Sequence, residues 1–68
     1  MIIGKRIKEL RIERGLSLQK LANEIGVDKH AIIFWENETN EPKANYIVKL
    51  AKYFDVSTDY LLGLTDNY

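Results

Sequence analysis

A 68-residue chain with no cysteine has room for one small domain, and it is held by neither disulfides nor thiolate-bound metal. Its apolar content of 46% suits a compact globule, but no apolar run is long enough to span a membrane or to follow Lys5, Arg6 and Lys8 as a signal peptide would, so a soluble, cytoplasmic protein is expected. Ten basic residues cancel ten acidic ones, unevenly: residues 1–30 carry seven Lys and Arg against four acids, and residues 31–68 carry three against six, which leaves a basic half able to face phosphate and an acidic half able to face solvent or a partner.

The predicted elements are helical throughout. Ile3, Ile7 and Leu10 recur at i, i+4 and i+7 and predict a first helix that ends near Gly15, a natural C-terminal cap. A start signal then repeats three times: an apolar residue, a capping residue, and a second apolar residue four places past the cap. Leu16-Ser17 with Leu21, Val27-Asp28 with Ile32, and Val56-Ser57 with Leu61 all fit an N-cap flanked by a hydrophobic staple. These signals predict helices near 18–25, 29–36 and 58–62. A further helix near 44–54 follows Pro42 and carries Ile47, Leu50, Ala51 and Phe54 on one face; its cap falls on Lys43, a weak capping residue. Neither β-alternation nor a hairpin turn occurs, so the fold class is all-α, a compact bundle of five short helices forming one domain over residues 1–68.

The chain lacks the groups that catalysis requires. Its only histidine is His30, and Ser17 and Ser57 are accounted for as caps, so no nucleophile has a base beside it. A lone histidine without cysteine makes no metal site, and no glycine-rich phosphate loop is present. Glu36, Glu38 and Glu41 share a polar stretch that reads as a solvated loop. The expectation is a protein that is not an enzyme, with no cofactor, no metal and no small-molecule substrate.

The informative segment is 18–37, LQKLANEIGVDKHAIIFWEN, in which two short helices meet at Gly26 with about three residues between them, the build of a helix-turn-helix. Ala22 is small where the helices cross, and Gly26 can take the positive φ that ends the first helix abruptly. Ile32, Ile33, Phe34 and Trp35 are four apolar residues in a row and cannot all face one core. At about 100° per residue, Ala31, Ile32 and Trp35 share an arc with Val27 and face inward. Lys29, His30, Ile33, Asn37 and, at the edge, Phe34 occupy the outer arc.

GLSLQKLANEIGV, then AIIFWE, then EP, then IVKLAKYFDVSTDYLLG resembles the Cro and phage-repressor (Xre-like) family of helix-turn-helix regulators over about residues 4 to 63. The resemblance implies a lambda-repressor-like bundle whose second motif helix lies in the major groove of operator DNA, bound as a dimer on half-sites roughly 34 Å apart. Carried over position by position, it places base reading at Lys29, His30, Ile33, Phe34 and Asn37, with Asp28 read first as a helix cap. Lys29 can donate to guanine or phosphate, His30 can donate to an acceptor base edge, Asn37 can meet phosphate or adenine, and Ile33 and Phe34 can touch thymine methyls. Phosphate contacts fall on Ser17, Leu18, Gln19, Asn40 and Lys43, and Arg11 with Glu36 forms a structural ion pair. Two departures from the family pattern remove phosphate contacts: Leu18 stands where many members carry Gln, and the loop Glu38-Thr39-Asn40-Glu41-Pro42 is acidic. Backbone N–H groups at the starts of the second and fourth helices can compensate.

The implied partners are double-stranded operator DNA and a second copy of the chain, at least on DNA, through Tyr60, Leu61 and Leu64, in an apolar tail that also holds Leu62 and Tyr68. A chain ending in LLGLTDNY also fits a domain cut from a longer repressor. The expected function is a sequence-specific transcriptional repressor with no membrane association. The alternative on the same fold is a protein-interaction module, an antitoxin or adaptor, that uses the Ile33/Phe34 face.

Overall fold

The computed structural model describes residues 2–68, and among these the secondary structure is five α-helices with no strand. They are α1 (Ile3–Glu13), α2 (Leu18–Ile25), α3 (Lys29–Glu36), α4 (Ala44–Phe54) and α5 (Thr58–Leu62). The helix starts lie where the capping chemistry put them. Ser17, Asp28 and Ser57 are N-caps whose side-chain oxygens accept from the backbone N–H of Lys20, His30 and Tyr60. Lys43 holds the same position on α4 but gives no side-chain cap bond. Gly26 ends α2 at φ +86°, the left-handed conformation that lets the chain turn at once into α3.

The core gathers one stripe from each helix. Ile3, Ile7 and Leu10 come from α1, Leu21, Ala22 and Ile25 from α2, and Ile32 and Trp35 from α3. Leu50, Ala51 and Phe54 of α4 close it, with Tyr60 and Leu61 of α5. Leu16, Val27 and Val56, the residues ahead of the three polar caps, pack partly buried against this cluster.

Two close approaches had no expectation from the sequence. A Cβ added to Gly4 would lie 2.2 Å from the Trp35 carbonyl oxygen, so the start of α1 crosses the end of α3 at a distance only glycine permits. Arg6, 8% exposed, donates from Nη1 to the carbonyls of Tyr60 (2.8 Å) and Thr65 (2.7 Å) and from Nη2 to Asp66 (3.0 Å). Its guanidinium also lies 4.0 Å from the Tyr60 ring centroid. The tail after α5 is therefore strapped to α1.

That packing corrects the expected self-association surface. Leu61 is fully buried, and Tyr60 is enclosed beneath Arg6 and edge-on to Tyr68. A one-turn helix has a single apolar face, and here that face closes the core, which leaves Leu61 no surface for a second chain and Tyr60 only an edge beside Glu9, Ile12 and Glu13. Of the three residues only Leu64, 72% exposed, lies on the surface.

Candidate nucleic-acid interface

α3 lies across the bundle with Ile32 and Trp35 turned in. Its outward arc carries Lys29, His30 and Phe34, all exposed, and the half-buried Ile33, with exposed Asn37 as the C-cap. Phe34, expected at the edge of the core, points further out: it is 40% exposed, with its ring centroid 6.5 Å from that of His30. Ile33 is the more sheltered of the two, lining a shallow groove with Lys8, Arg11, Leu18, Glu36 and Asn37. Sequence reasoning missed Lys8 as part of this surface. The available signal was its place three residues before Arg11, on the same face of α1.

Behind the arc, α3 is fixed to α1 by a two-pronged ion pair. Arg11 Nε donates to Glu36 Oε2 at 2.6 Å and Nη2 to Oε1 at 3.0 Å, while Nη1 donates to the Leu16 carbonyl at 2.9 Å. Both side chains are largely buried, 13% and 8% exposed. The Glu36 hydrogen bond raises the Arg11 pKa above its ordinary value, against the opposing effect of burial. The guanidinium is thus spent on protein acceptors and sets the pitch of α3 relative to α1.

The expected phosphate-contacting residues divide by geometry. Ser17 Oγ accepts from Lys20 N–H as a cap, which leaves its hydroxyl hydrogen able to donate outward. Leu18 can offer phosphate only its backbone N–H, because its side chain, in the groove beside Ile33, carries no donor. Gln19 donates along its own helix to Asn23 at 2.9 Å. In the first turns of α2 and α4, Lys20 N–H is bonded to Ser17 Oγ and Tyr46 N–H to the Lys43 carbonyl, which leaves the N–H groups of Leu18, Gln19, Ala44 and Asn45 for an outside acceptor, and on α4 no side chain takes the cap position. Lys43 is exposed at that end, and Asn40 is exposed in the loop, with its backbone N–H bonded to the Phe34 carbonyl. Asn37 Oδ1 already accepts from Thr39 N–H at 3.0 Å and Thr39 Oγ1 at 2.6 Å. With its oxygen committed, Asn37 can present its amide as a donor, which suits phosphate better than a two-pronged grip on adenine.

At the other end of α3, Asp28 Oδ1 lies 2.8 Å from both the backbone nitrogen and Nδ1 of His30. The backbone N–H of His30, followed by its ring, holds the Asp28 carboxyl below the usual carboxylate range. Among the described residues no three His, Cys, Asp or Glu side chains come together as a metal site, and no helix is long and apolar enough to cross a membrane.

Residues 4–67 match the family model described as a helix-turn-helix domain. The chain is 40% identical over 63 residues to the uncharacterized HTH-type transcriptional regulator YobD of Bacillus subtilis, covering 93% of this chain and 56% of that protein. Among solved structures it is similar to the P22 c2 repressor in complex with a synthetic operator, with a TM-score of 0.84 and 31% identity over 90% of this chain and 92% of that one. It is also similar to SinR, the master regulator for biofilm formation, in complex with DNA, with a TM-score of 0.80 and 38% identity over 88% and 97% of the two chains. The chain spans about half the length of the curated relatives it matches.

Proposed function

The chain belongs to the helix-turn-helix domain family, of the Cro and phage-repressor type, and from that membership we propose that it is a sequence-specific DNA-binding regulator of transcription, a cytoplasmic repressor whose action involves no catalytic step. The observation that carries this reading is the outward arc of α3. It is exposed along Lys29, His30 and Phe34, and it is held from behind by the buried Arg11–Glu36 fork. A rigid helix with a chemically mixed outer face is what reading base edges in a major groove requires. The open N–H groups at the starts of α2 and α4 supply anion-binding points that offset the acidic loop. Two of the similar structures hold DNA, and the same docking is proposed here, with two copies on half-sites one helical turn apart.

Titration against upstream DNA containing two half-sites should give an affinity that falls steeply with salt, because each phosphate contact releases counterions. Lys29→Ala should weaken specific binding by about 1–3 kcal/mol with the helical circular dichroism unchanged. The exposure of Phe34 also suits a protein partner. That competing reading predicts a stoichiometric protein partner whose binding is lost in Ile33→Glu, while any DNA affinity is indifferent to that substitution.

A further inference from the structure

We propose that Asp28 fixes the hydrogen-bonding sense of His30, holding the neutral ring as its Nδ1–H tautomer so that the exposed imidazole offers Nε2 as an acceptor and selects a base bearing an amine, adenine or cytosine. The inference rests on the DNA-binding reading above and gives a direction to one of its contacts. An ionised carboxylate can only accept, so an Asp28 oxygen 2.8 Å from Nδ1 requires the proton to be on Nδ1. A neutral imidazole has one donor and one acceptor, and with the donor turned back to Asp28 the acceptor is what remains at the far side of the ring. Among the described residues no group bonds Nε2, and the side chain is 69% exposed at the start of α3.

The same Oδ1 also accepts the backbone N–H of His30 at 2.8 Å, so the cap that begins the helix and the clamp on the ring are one oxygen atom. Those two bonds, together with the charge of a protonated His30 ring and of neighbouring Lys29, hold the carboxyl below its ordinary range, and the acceptor role of Nε2 belongs to the neutral ring. The consequence reverses the expectation from sequence, in which His30 donates to an acceptor edge. In the major groove guanine offers N7 and O6 and thymine offers O4, all acceptors, whereas adenine N6 and cytosine N4 carry the hydrogens an accepting Nε2 needs. Lys29, next in the chain, has only donors. The two adjacent residues therefore read opposite halves of the base-edge code, and Asp28 is a positioning residue that acts through His30.

The chain has one histidine, so a long-range proton–nitrogen spectrum of uniformly 15N-labelled free protein, recorded where the ring is neutral, reports the tautomer without assignment. The expected result is a protonated Nδ1 and an unprotonated Nε2. Asp28→Ser keeps an oxygen cap of the kind seen at Ser17 and Ser57 but removes the carboxylate, and should move the ring toward the Nε2–H form. In parallel, selection from a random DNA pool should enrich adenine or cytosine at one position with the wild type. His30→Ala and Asp28→Ser should each relax that position by roughly tenfold while leaving the rest of the site intact. An Nε2–H ring in the free wild type overturns the inference, and so does a guanine or thymine preference lost in His30→Ala; both leave the DNA-binding reading standing. A pool that enriches no sequence overturns both.

Discussion

Two arginines of α1, Arg6 and Arg11, each tie a remote segment to that helix, Arg6 the C-terminal tail and Arg11 the end of α3. Arg11 meets a full opposite charge, with both side chains largely covered at the floor of the groove. Arg6 meets two carbonyls and an aromatic face, and its charged partner among the described residues, Asp66, has a fully exposed side chain. A buried ion pair is unforgiving when half of it is removed, because the other charge is stranded in a poor solvent. A buried guanidinium on carbonyls loses less, and an ion pair with a solvated carboxylate contributes little. The stiffer attachment lies behind the outward face of α3, where a displaced helix would misplace every proposed base contact. The softer one holds the tail.

The largest expected effect is therefore Glu36→Ala, which should destabilise the protein by about 3–5 kcal/mol in chemical denaturation by leaving Arg11 without its counter-charge. Glu36→Gln, which keeps one acceptor, should recover part of that loss. Next is Arg6→Lys. An ammonium cannot reproduce the fork, and carbonyls left without donors should cost about 1–3 kcal/mol, with hydrogen exchange accelerating first in 63–68. A loss as large as that of Glu36→Ala would erase the contrast between the two arginines. Asp66→Ala is the sharper control, with a denaturation midpoint expected to stay at that of the wild type.

The smallest effect concerns Asp28, an exposed carboxylate held mainly by a backbone N–H rather than by a partner in the core. Its folded pKa is lowered from 3.8, so its contribution to stability is complete above that value and disappears as the pH falls through the lower folded value. Melting temperatures of Asp28→Ser should accordingly differ most from wild type near neutrality and converge in acid. A difference that grows in acid would mean the carboxyl is not stabilised in its charged form.

What the residues declared by themselves was local. Ser17, Asp28 and Ser57 each offer an oxygen to an orphan N–H at a fixed spacing from an apolar residue, so three helix starts could be placed from sequence and lie there in the structure. The inward stripe of α3, Ile32 and Trp35, followed from helical geometry alone. Contacts between distant segments were not legible. Gly4 has no special backbone angle to advertise it; it must be glycine only because the end of α3 crosses there. Arg6 reads as one of several N-terminal cations until the tail folds back onto it, and that same fold withdraws Tyr60 and Leu61 from the surface. Periodicity says which residues are apolar on a face but not which neighbour covers them. His30 shows the division most plainly. Sequence placed it on the outer arc, but whether its ring gives or accepts a hydrogen bond depends on one carboxylate oxygen 2.8 Å away, and only the folded chain sets that distance.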